Sequence, residues 1–210
     1  DLIQIDSVIA EVLENGLVYI QLTQFAGDTA SELRSALIEL DVEESPGLIL
    51  DFRGNPGGYL NTSVDLASEF IESGLILKER FRTYDRDYDA NGDATAPTVP
   101  LVVLVDEGSA SASELVAGAL QAQDRATIIG TQTFGKGSVQ SWHELSNGGG
   151  IRVTIARWYT PDDQTVHEVG LAPDIVIENL ETEDPSEPVD DLQLEAAIDF
   201  LLAPAAVMQP

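Results

Sequence analysis

The 210-residue sequence contains no cysteine, and it has only two histidines, two tryptophans and one methionine. Without cysteine the chain forms no disulfide, no thiolate metal site and no thiol nucleophile. No apolar run reaches the roughly 18 residues that are needed to cross a membrane. No signal peptide pattern opens the sequence. These absences exclude several classes of site and leave the cellular compartment open.

Basic residues are also scarce, because Lys and Arg total 10 against 37 Asp and Glu, for a formal net charge of −27. Nucleic acids and anionic membranes require clustered Lys and Arg, so the sequence argues against both as partners. The acidic excess is interpreted as a solvated surface. Residues 87–92, DYDANG, begin like a calcium loop, but its twelfth position is Thr98 rather than a bidentate Glu. We therefore expect no metal and no cofactor.

Short apolar runs alternate with helical patterns along the chain. The runs are five to nine residues long and rich in strand formers, and they lie at 17–22, 47–51, 101–105, 126–130 and 151–159. Helices are predicted at 28–40, 61–73, 111–123 and 191–202, and the first is expected to begin with a capping box of Thr29 and Glu32. Residues 83–100 are interpreted as a surface hairpin or loop. Short strands between helices predict an α/β layered fold with strands buried on both faces.

Three serines occur in five positions of GSASASE, residues 108–114, directly after an apolar run. One interpretation is helix capping, because Ser111 and Glu114 have the spacing of a capping box and Ser109 could cap an earlier turn. A second interpretation is chemical. A hydroxyl at a strand-to-helix turn lies beside free backbone N–H groups and the positive end of the helix, which is where an oxyanion is stabilised.

A serine nucleophile needs a neighbouring base, and the chain offers few candidates. His143 and His167 have no recognisable catalytic setting and are interpreted as surface or structural residues. Lys136 is one of only two lysines, and it lies between two glycines in TFGKGSVQ, residues 133–140. A surface ion pair is the alternative interpretation, whereas a phosphate loop is disfavoured because Gly137 follows the lysine instead of Ser or Thr. A lysine acts as a base where an apolar pocket favours its uncharged form, and Gln140 is spaced to contact it.

The chain resembles the C-terminal processing peptidases, also called tail-specific proteases. The resemblance is carried in the right order by LILDFRGNPGGYL (48–60), GSASASE (108–114), TFGKGSVQ (133–140), YTP (159–161), GLAPDIVIE (170–178) and DLQLEAAIDFL (191–201). It implies a crotonase/Clp-protease-like α/β core of stacked β-β-α units with short buried strands and a C-terminal helix. It further implies a serine endopeptidase that cleaves proteins near their C-termini and is exported, periplasmic or extracellular.

The resemblance also implies roles for individual residues. The nucleophile falls on Ser111, the general base on Lys136, and the residue that orients the base on Gln140. The oxyanion hole falls on the backbone N–H of Ala112 and on one N–H of the NPGG turn. Gly57 is the first expectation for that second donor and Gly58 the alternative. Some members carry an Asp eleven residues after the serine, where this chain has Ala122.

We expect residues 1–180 to form the catalytic domain and residues 181–210 to form an acidic linker, a helix and a frayed tail. Family members usually carry a PDZ-type module upstream, and no such module is recognised in this sequence. The expected partner is the C-terminus of a protein or peptide, with no nucleic acid and no stable membrane insertion, and a homo-oligomer remains compatible with the sequence. Two other functions stay open, namely a crotonase-like acyl transferase and a peptide-binding scaffold without catalysis.

Overall fold

A computed structural model describes residues 6–179 and 190–203 of the chain. The strands are β1 (Val8–Val12), β2 (Val18–Leu22), β3 (Leu48–Asp51), β4 (Leu75–Phe81), β5 (Asp85–Asp89), β6 (Leu101–Val105), β7 (Thr127–Gly130), β8 (Ser138–Glu144), β9 (Gly150–Tyr159) and β10 (Ile175–Val176). The helices are α1 (Thr29–Glu39), α2 (Leu60–Ser68), α3 (Ala112–Ala122) and α4 (Leu192–Leu202), with a 3-10 turn at Val42–Glu44.

The larger sheet has six strands in the order β1-β2-β3-β6-β7-β10. All neighbours in it are parallel except β1 and β2, which are antiparallel. Every residue of β3 and β6 is buried. Parallel strands that are covered on both faces consist of nearly continuous apolar residues, and LILD and LVVLV have this composition.

Alternation along these strands divides the interior into two cores. Leu48 and Leu50 face the larger core, to which α1, α2 and α3 contribute, whereas Ile49 faces the smaller core under α4. Ile49 pairs with Val102 in the neighbouring strand, and both pack in the core that contains Ala197 of α4. Since successive side chains of a strand point to opposite faces, helices must cover both faces of the sheet.

The smaller sheet has four strands in the order β5-β4-β9-β8, and all its pairs are antiparallel. Trp158 of β9 is 2% exposed and joins the larger core. In contrast, β8 is an edge strand with mostly exposed residues. The small sheet therefore contacts the main core through Ile76 and Leu77 of β4 and through Trp158 of β9, and it projects the β8–β9 hairpin outward.

The structure confirms the α/β architecture and corrects several details. Glu32 does not form a capping box with Thr29, because its carboxylate accepts a hydrogen bond from the Ser7 hydroxyl. The second helix ends at Ser68, earlier than predicted. The segment predicted as a hairpin or loop at 83–100 contains β5, which forms a hairpin with β4. Of the predicted linker, helix and tail at 181–210, residues 181–189 and 204–210 lie outside the described residues. Within the described ranges, no helix is both long enough and apolar enough to cross a membrane.

Candidate active site

Ser111 lies at the junction between β6 and the start of α3. Its backbone has φ 57° and ψ −110°, a conformation that side-chain-bearing residues rarely adopt. Such strain at a strand-to-helix turn exposes a serine hydroxyl above the sheet and is found at functional positions. The backbone N–H of Ser111 donates to Glu114 Oε2 at 2.7 Å, so the Glu114 half of the predicted capping box is present.

The two outer serines of the motif are buried and have structural partners. Ser109 Oγ donates to the carbonyl of Phe52 at 2.8 Å, and Ser113 Oγ donates to the carbonyl of Asn55 at 2.9 Å. Both bonds join the start of α3 to the turn that follows β3. The three serines therefore have different roles. Ser109 and Ser113 fix the turn, whereas Ser111 is the only one of the three that lines the cavity described below.

The turn of residues 54–58 approaches Ser111 closely. A Cβ on Gly57 would lie 2.5 Å from the carbonyl oxygen of Ala110, and a Cβ on Gly58 would lie 2.1 Å from the carbonyl oxygen of Phe25. Real Cβ atoms do not approach this closely, so both positions require glycine. The backbone of this turn consequently lies directly against the start of α3.

The N–H groups of the two glycines have different partners. Gly57 donates to Asn55 Oδ1 at 2.9 Å. Phe25 forms a parallel bridge to Gly58, in which it donates to the Gly57 carbonyl and accepts from the Tyr59 N–H. Since Phe25 bonds to the residues on either side, the N–H of Gly58 points away from it. No described residue accepts the N–H of Gly58 or that of Ala112.

The loop that carries Lys136 is attached to the start of α3 by one buried carboxylate. Glu114 is 0% exposed and accepts four hydrogen bonds. Its Oε1 accepts from Thr133 Oγ1 and from the Gly135 N–H, both at 2.6 Å. Its Oε2 accepts from the Lys136 N–H at 2.9 Å in addition to the Ser111 N–H. The sequence pattern indicated Glu114 as a helix cap but gave no sign of its contact with the lysine loop.

A cavity of about 420 Å³ brings the predicted residues together. Ser111, Ala112, Gly58, Lys136 and Gln140 all line it. Its apolar walls come from the side chains Leu60, Leu115, Val139 and Trp158. Gln140 lies in β8, so it shares the cavity with Lys136 through an extended segment and not through a helical turn. In the described part of the chain, no hydrogen bond joins the Ser111 hydroxyl to Lys136 Nζ.

The charges along this cavity contrast with those of the whole protein. Lys136 and Arg152 line it, and none of its lining residues in the described ranges is a carboxylate. Lys136 is half-buried and forms no ion pair with a described residue, whereas the other lysine, Lys78, pairs with Asp163 at 2.9 Å. The alternative interpretation of Lys136 as half of a surface ion pair therefore has no partner among the described residues.

The histidines lie elsewhere. His143 is exposed on β8, and His167 packs against Gly137 behind the lysine loop, with Nδ1 buried and unpaired among the described residues. Neither lines the cavity. No cluster of three potential metal ligands is found among residues 6–179 and 190–203.

An ion-pair cluster fixes the turn from its other side. Arg53 binds Asp51 at 2.6 Å and Asp191, at the start of α4, at 2.7 Å. Burial opposes the charge of Asp191, but hydrogen bonds from Arg53 and the Leu194 N–H outweigh it and lower the pKa of this carboxyl. The cluster connects α4 to the residues that precede the glycine turn.

Comparison with known proteins places this geometry in a family. The model of peptidase family S41 matches residues 16–177. The carboxyl-terminal-processing protease of Synechocystis sp. is 42% identical over 192 residues, which cover 90% of this chain and 44% of that protein. The carboxy-terminal processing protease CtpA of Bacillus subtilis is 35% identical, over 85% of this chain and 38% of that protein.

A solved structure of a C-terminal processing protease has the same fold as this chain. The photosystem II D1 C-terminal processing protease superposes with a TM-score of 0.77 and 34% identity, over 84% of this chain and 49% of that chain. This match confirms the predicted α/β core. The chain spans less than half of the length of these relatives. From its motifs, its fold and these similarities, the chain belongs to peptidase family S41.

Proposed function

We propose that this chain is the catalytic core of a serine endopeptidase that cleaves protein substrates near their C-termini through an acyl-enzyme. The observation that carries the proposal is the meeting of Ser111, in a strained backbone conformation at a helix start, with Lys136 in one cavity. The names of the relatives in peptidase family S41 support the same reaction.

In the first step, Ser111 Oγ attacks the peptide carbonyl carbon and its proton passes to Lys136 Nζ. The tetrahedral intermediate then breaks its C–N bond, and the proton moves from Lys136 to the leaving amine. The ester on Ser111 is hydrolysed when Lys136 takes a proton from water and the hydroxide attacks the ester. The serine recovers its proton, and the shortened substrate leaves with a new carboxyl group.

The amine and the hydroxyl must come into hydrogen-bond reach for this step. Catalytic hydrogen bonds are often long before substrate binds and shorten in the complex, so the absence of a direct bond here is compatible with the mechanism. A peptide that fills the cavity displaces water from its apolar walls, which strengthens the polar contacts inside it. Gln140 is proposed to hold that amine toward the serine.

The oxyanion hole is proposed to consist of the N–H groups of Ala112 and Gly58. The N–H of Gly57 already donates to Asn55, so using it would break a buried hydrogen bond. The N–H of Gly58 has no described acceptor and belongs to a residue that lines the cavity beside Ser111. Two aligned backbone donors stabilise the developing negative charge without rearrangement. The choice therefore moves from Gly57, the first expectation, to Gly58.

Selectivity for C-termini is proposed to involve the charge of the cavity. Although the chain has a net charge of −27, Arg152 lines the cavity and none of the described lining residues is a carboxylate. A terminal carboxylate is accommodated in such a cavity, and Arg152 offers a guanidinium that matches it. The apolar walls favour small or medium apolar side chains next to the scissile bond.

Three wider expectations from the sequence belong to the proposal. They are a catalytic domain over residues 1–180 followed by a linker, helix and tail, an exported or periplasmic location, and protein C-termini as the partners. A PDZ-type module that captures the substrate is proposed to act in the full-length protein, because the relatives are more than twice as long as the matched region.

The proposal is tested with a fluorophosphonate probe and with a peptide that has an apolar C-terminus. We expect labelling of the wild-type protein, no labelling of Ser111→Ala, and peptide fragments by mass spectrometry that depend on Ser111. Turnover of thioesters but not peptides would instead favour the acyl transferase. Peptide binding without cleavage or labelling would favour the scaffold.

A further inference from the structure

We infer that Glu114 is a positioning residue that fixes the separation between the nucleophile and the base. The inference rests on the proposed function, since it concerns the same two residues. Glu114 does not line the cavity and is completely buried, so it acts through the backbone to which it bonds.

The central observation is that one carboxylate oxygen serves both catalytic segments. Glu114 Oε2 accepts the N–H of Ser111 at 2.7 Å and the N–H of Lys136 at 2.9 Å. Because the two bonds meet at one atom, their combined length is an upper limit on the distance between the two amide nitrogens. No other described side chain bonds to the backbone of both residues. The nucleophile and the base are thus joined through Glu114 before any substrate is present.

The second oxygen fixes the orientation of the carboxylate. Glu114 Oε1 accepts from Thr133 Oγ1 and from the Gly135 N–H, and Thr133 Oγ1 in turn accepts the Leu171 N–H at 2.7 Å. With both oxygens engaged, the carboxylate has no freedom to rotate. The bend of the lysine loop is therefore determined by a group on α3.

The chemistry of the residue suits this role better than any other side chain. Four donors converge on Glu114, and an ionised carboxylate is an acceptor on both oxygens. Its charge lies in the first turn of α3, where the helix dipole stabilises an anion. A glutamine has the same shape but only one acceptor oxygen, so its NH₂ group would face two donors. An aspartate lacks one methylene group and would pull the loop or lose the bonds.

The first test compares Glu114→Gln with Glu69→Gln in peptide cleavage. Glu69 is also buried and accepts from Arg34 and Thr95, but it lies away from the cavity, so it matches the loss of a buried carboxylate. We expect Glu114→Gln to reduce kcat by about 100-fold with KM within about threefold of wild type, because small misplacements of reacting groups act on the chemical step. Glu69→Gln should keep kcat while losing thermal stability. A kcat of Glu114→Gln within about threefold of wild type overturns the inference, as does a loss that equals the loss of folded protein.

The second test does not depend on activity. Amide hydrogen exchange, followed by NMR, reports the protection of the Ser111 and Lys136 N–H groups. We expect at least about tenfold faster exchange of both amides in Glu114→Gln and no change in Glu69→Gln. If the wild-type protein cleaves no peptide, the proposed function fails and this exchange result still decides the role of Glu114. Unchanged exchange at both amides overturns it.

Thr133→Val provides a milder variant if Glu114→Gln does not fold. This substitution removes one donor to Glu114 and the acceptor of the Leu171 N–H, and it keeps the side-chain shape. We expect kcat to fall by about tenfold with KM unchanged, and the Lys136 amide to exchange faster. An unaltered kcat together with an unaltered Lys136 amide contradicts the inference.

Discussion

Replacing Ser111 by glycine should stabilise the protein while removing its proposed nucleophile. Ser111 has φ 57° and ψ −110°, and a side-chain-bearing residue in such a conformation costs about 1–3 kcal/mol. Glycine adopts it without strain, but the greater freedom of glycine in the unfolded chain returns about 0.5–1 kcal/mol. The net expectation is an increase of about 1 kcal/mol in the free energy of unfolding. For a chain of this length the melting temperature should rise by about 2–4 °C.

Ser113→Gly is the matched control, because Ser113 has the same side chain two residues later within α3. It loses the hydrogen bond to the Asn55 carbonyl and places glycine in a helix, which together cost about 2 kcal/mol. Urea unfolding followed by circular dichroism measures both variants. The fluorophosphonate probe should label Ser113→Gly and leave Ser111→Gly unlabelled.

A loss of stability in Ser111→Gly as large as that in Ser113→Gly would contradict the expected stabilisation. Such a result would mean that the backbone of Ser111 is not strained, or that its side chain contributes a bond larger than the strain. Unchanged labelling of Ser111→Gly would refute the assignment of the nucleophile separately.

Three further predictions concern the turn, the ion-pair cluster and the cavity. Gly58→Ala should lower the free energy of unfolding by about 3 kcal/mol and abolish labelling by the fluorophosphonate probe, because the added Cβ would lie 2.1 Å from a carbonyl oxygen. Gly54→Ala is the control, since the space around its Cβ is open. It should lower the free energy of unfolding by about 1 kcal/mol and keep the labelling. Asp191 has a lowered pKa, so its stabilising effect is present above the unfolded value near 4 and is lost as the pH falls through the lower folded value. The free energy of unfolding of Asp191→Asn, measured with urea, should therefore be lower than that of wild type at pH 7, and the difference should shrink as the pH falls below about 4; a difference that stays constant with pH would contradict the linkage. Arg152→Gln should raise KM about tenfold for peptides with a free C-terminal carboxylate and leave KM unchanged for amidated peptides. Steady-state kinetics with both peptides measure this, and an equal rise of KM for both would exclude recognition of the carboxylate by Arg152.

Much of the fold could be predicted because the central strands are recognisable from their own apolar residues. LILD and LVVLV are buried on both faces and need no distant information to be recognised. β1 was missed because four of its five residues are exposed, which leaves no apolar alternation to detect. β4 was missed because it passes from apolar LIL to charged KER, and its strand form depends on pairing with β9, more than 70 residues away. The division into two sheets follows from such long-range pairs.

The candidate site was predictable to the level of residue type and spacing. The serine, lysine and glutamine were identified from their motifs, and the structure brings all three to one cavity. The preference for Gly58 over Gly57 was not accessible from the sequence, because it depends on the hydrogen bond by which the Asn55 side chain occupies the N–H of Gly57. The second contact of Glu114 was hidden for a different reason. A glutamate three residues after a serine already had a sufficient local explanation as a cap.

The exposed edge of β8 has a consequence for how the protein behaves in solution. This strand ends its sheet, and exposed apolar side chains lie along the hairpin, including Trp142, Ile151 and Val153. Such an edge is a template on which two copies of a chain can pair. A charge of −27 makes copies repel one another, and salt screens that repulsion beyond about 10 Å at 0.1 M. Repulsion between the acidic surfaces thus keeps the exposed edges of β8 in different copies apart. We expect aggregation to increase when added salt screens this repulsion.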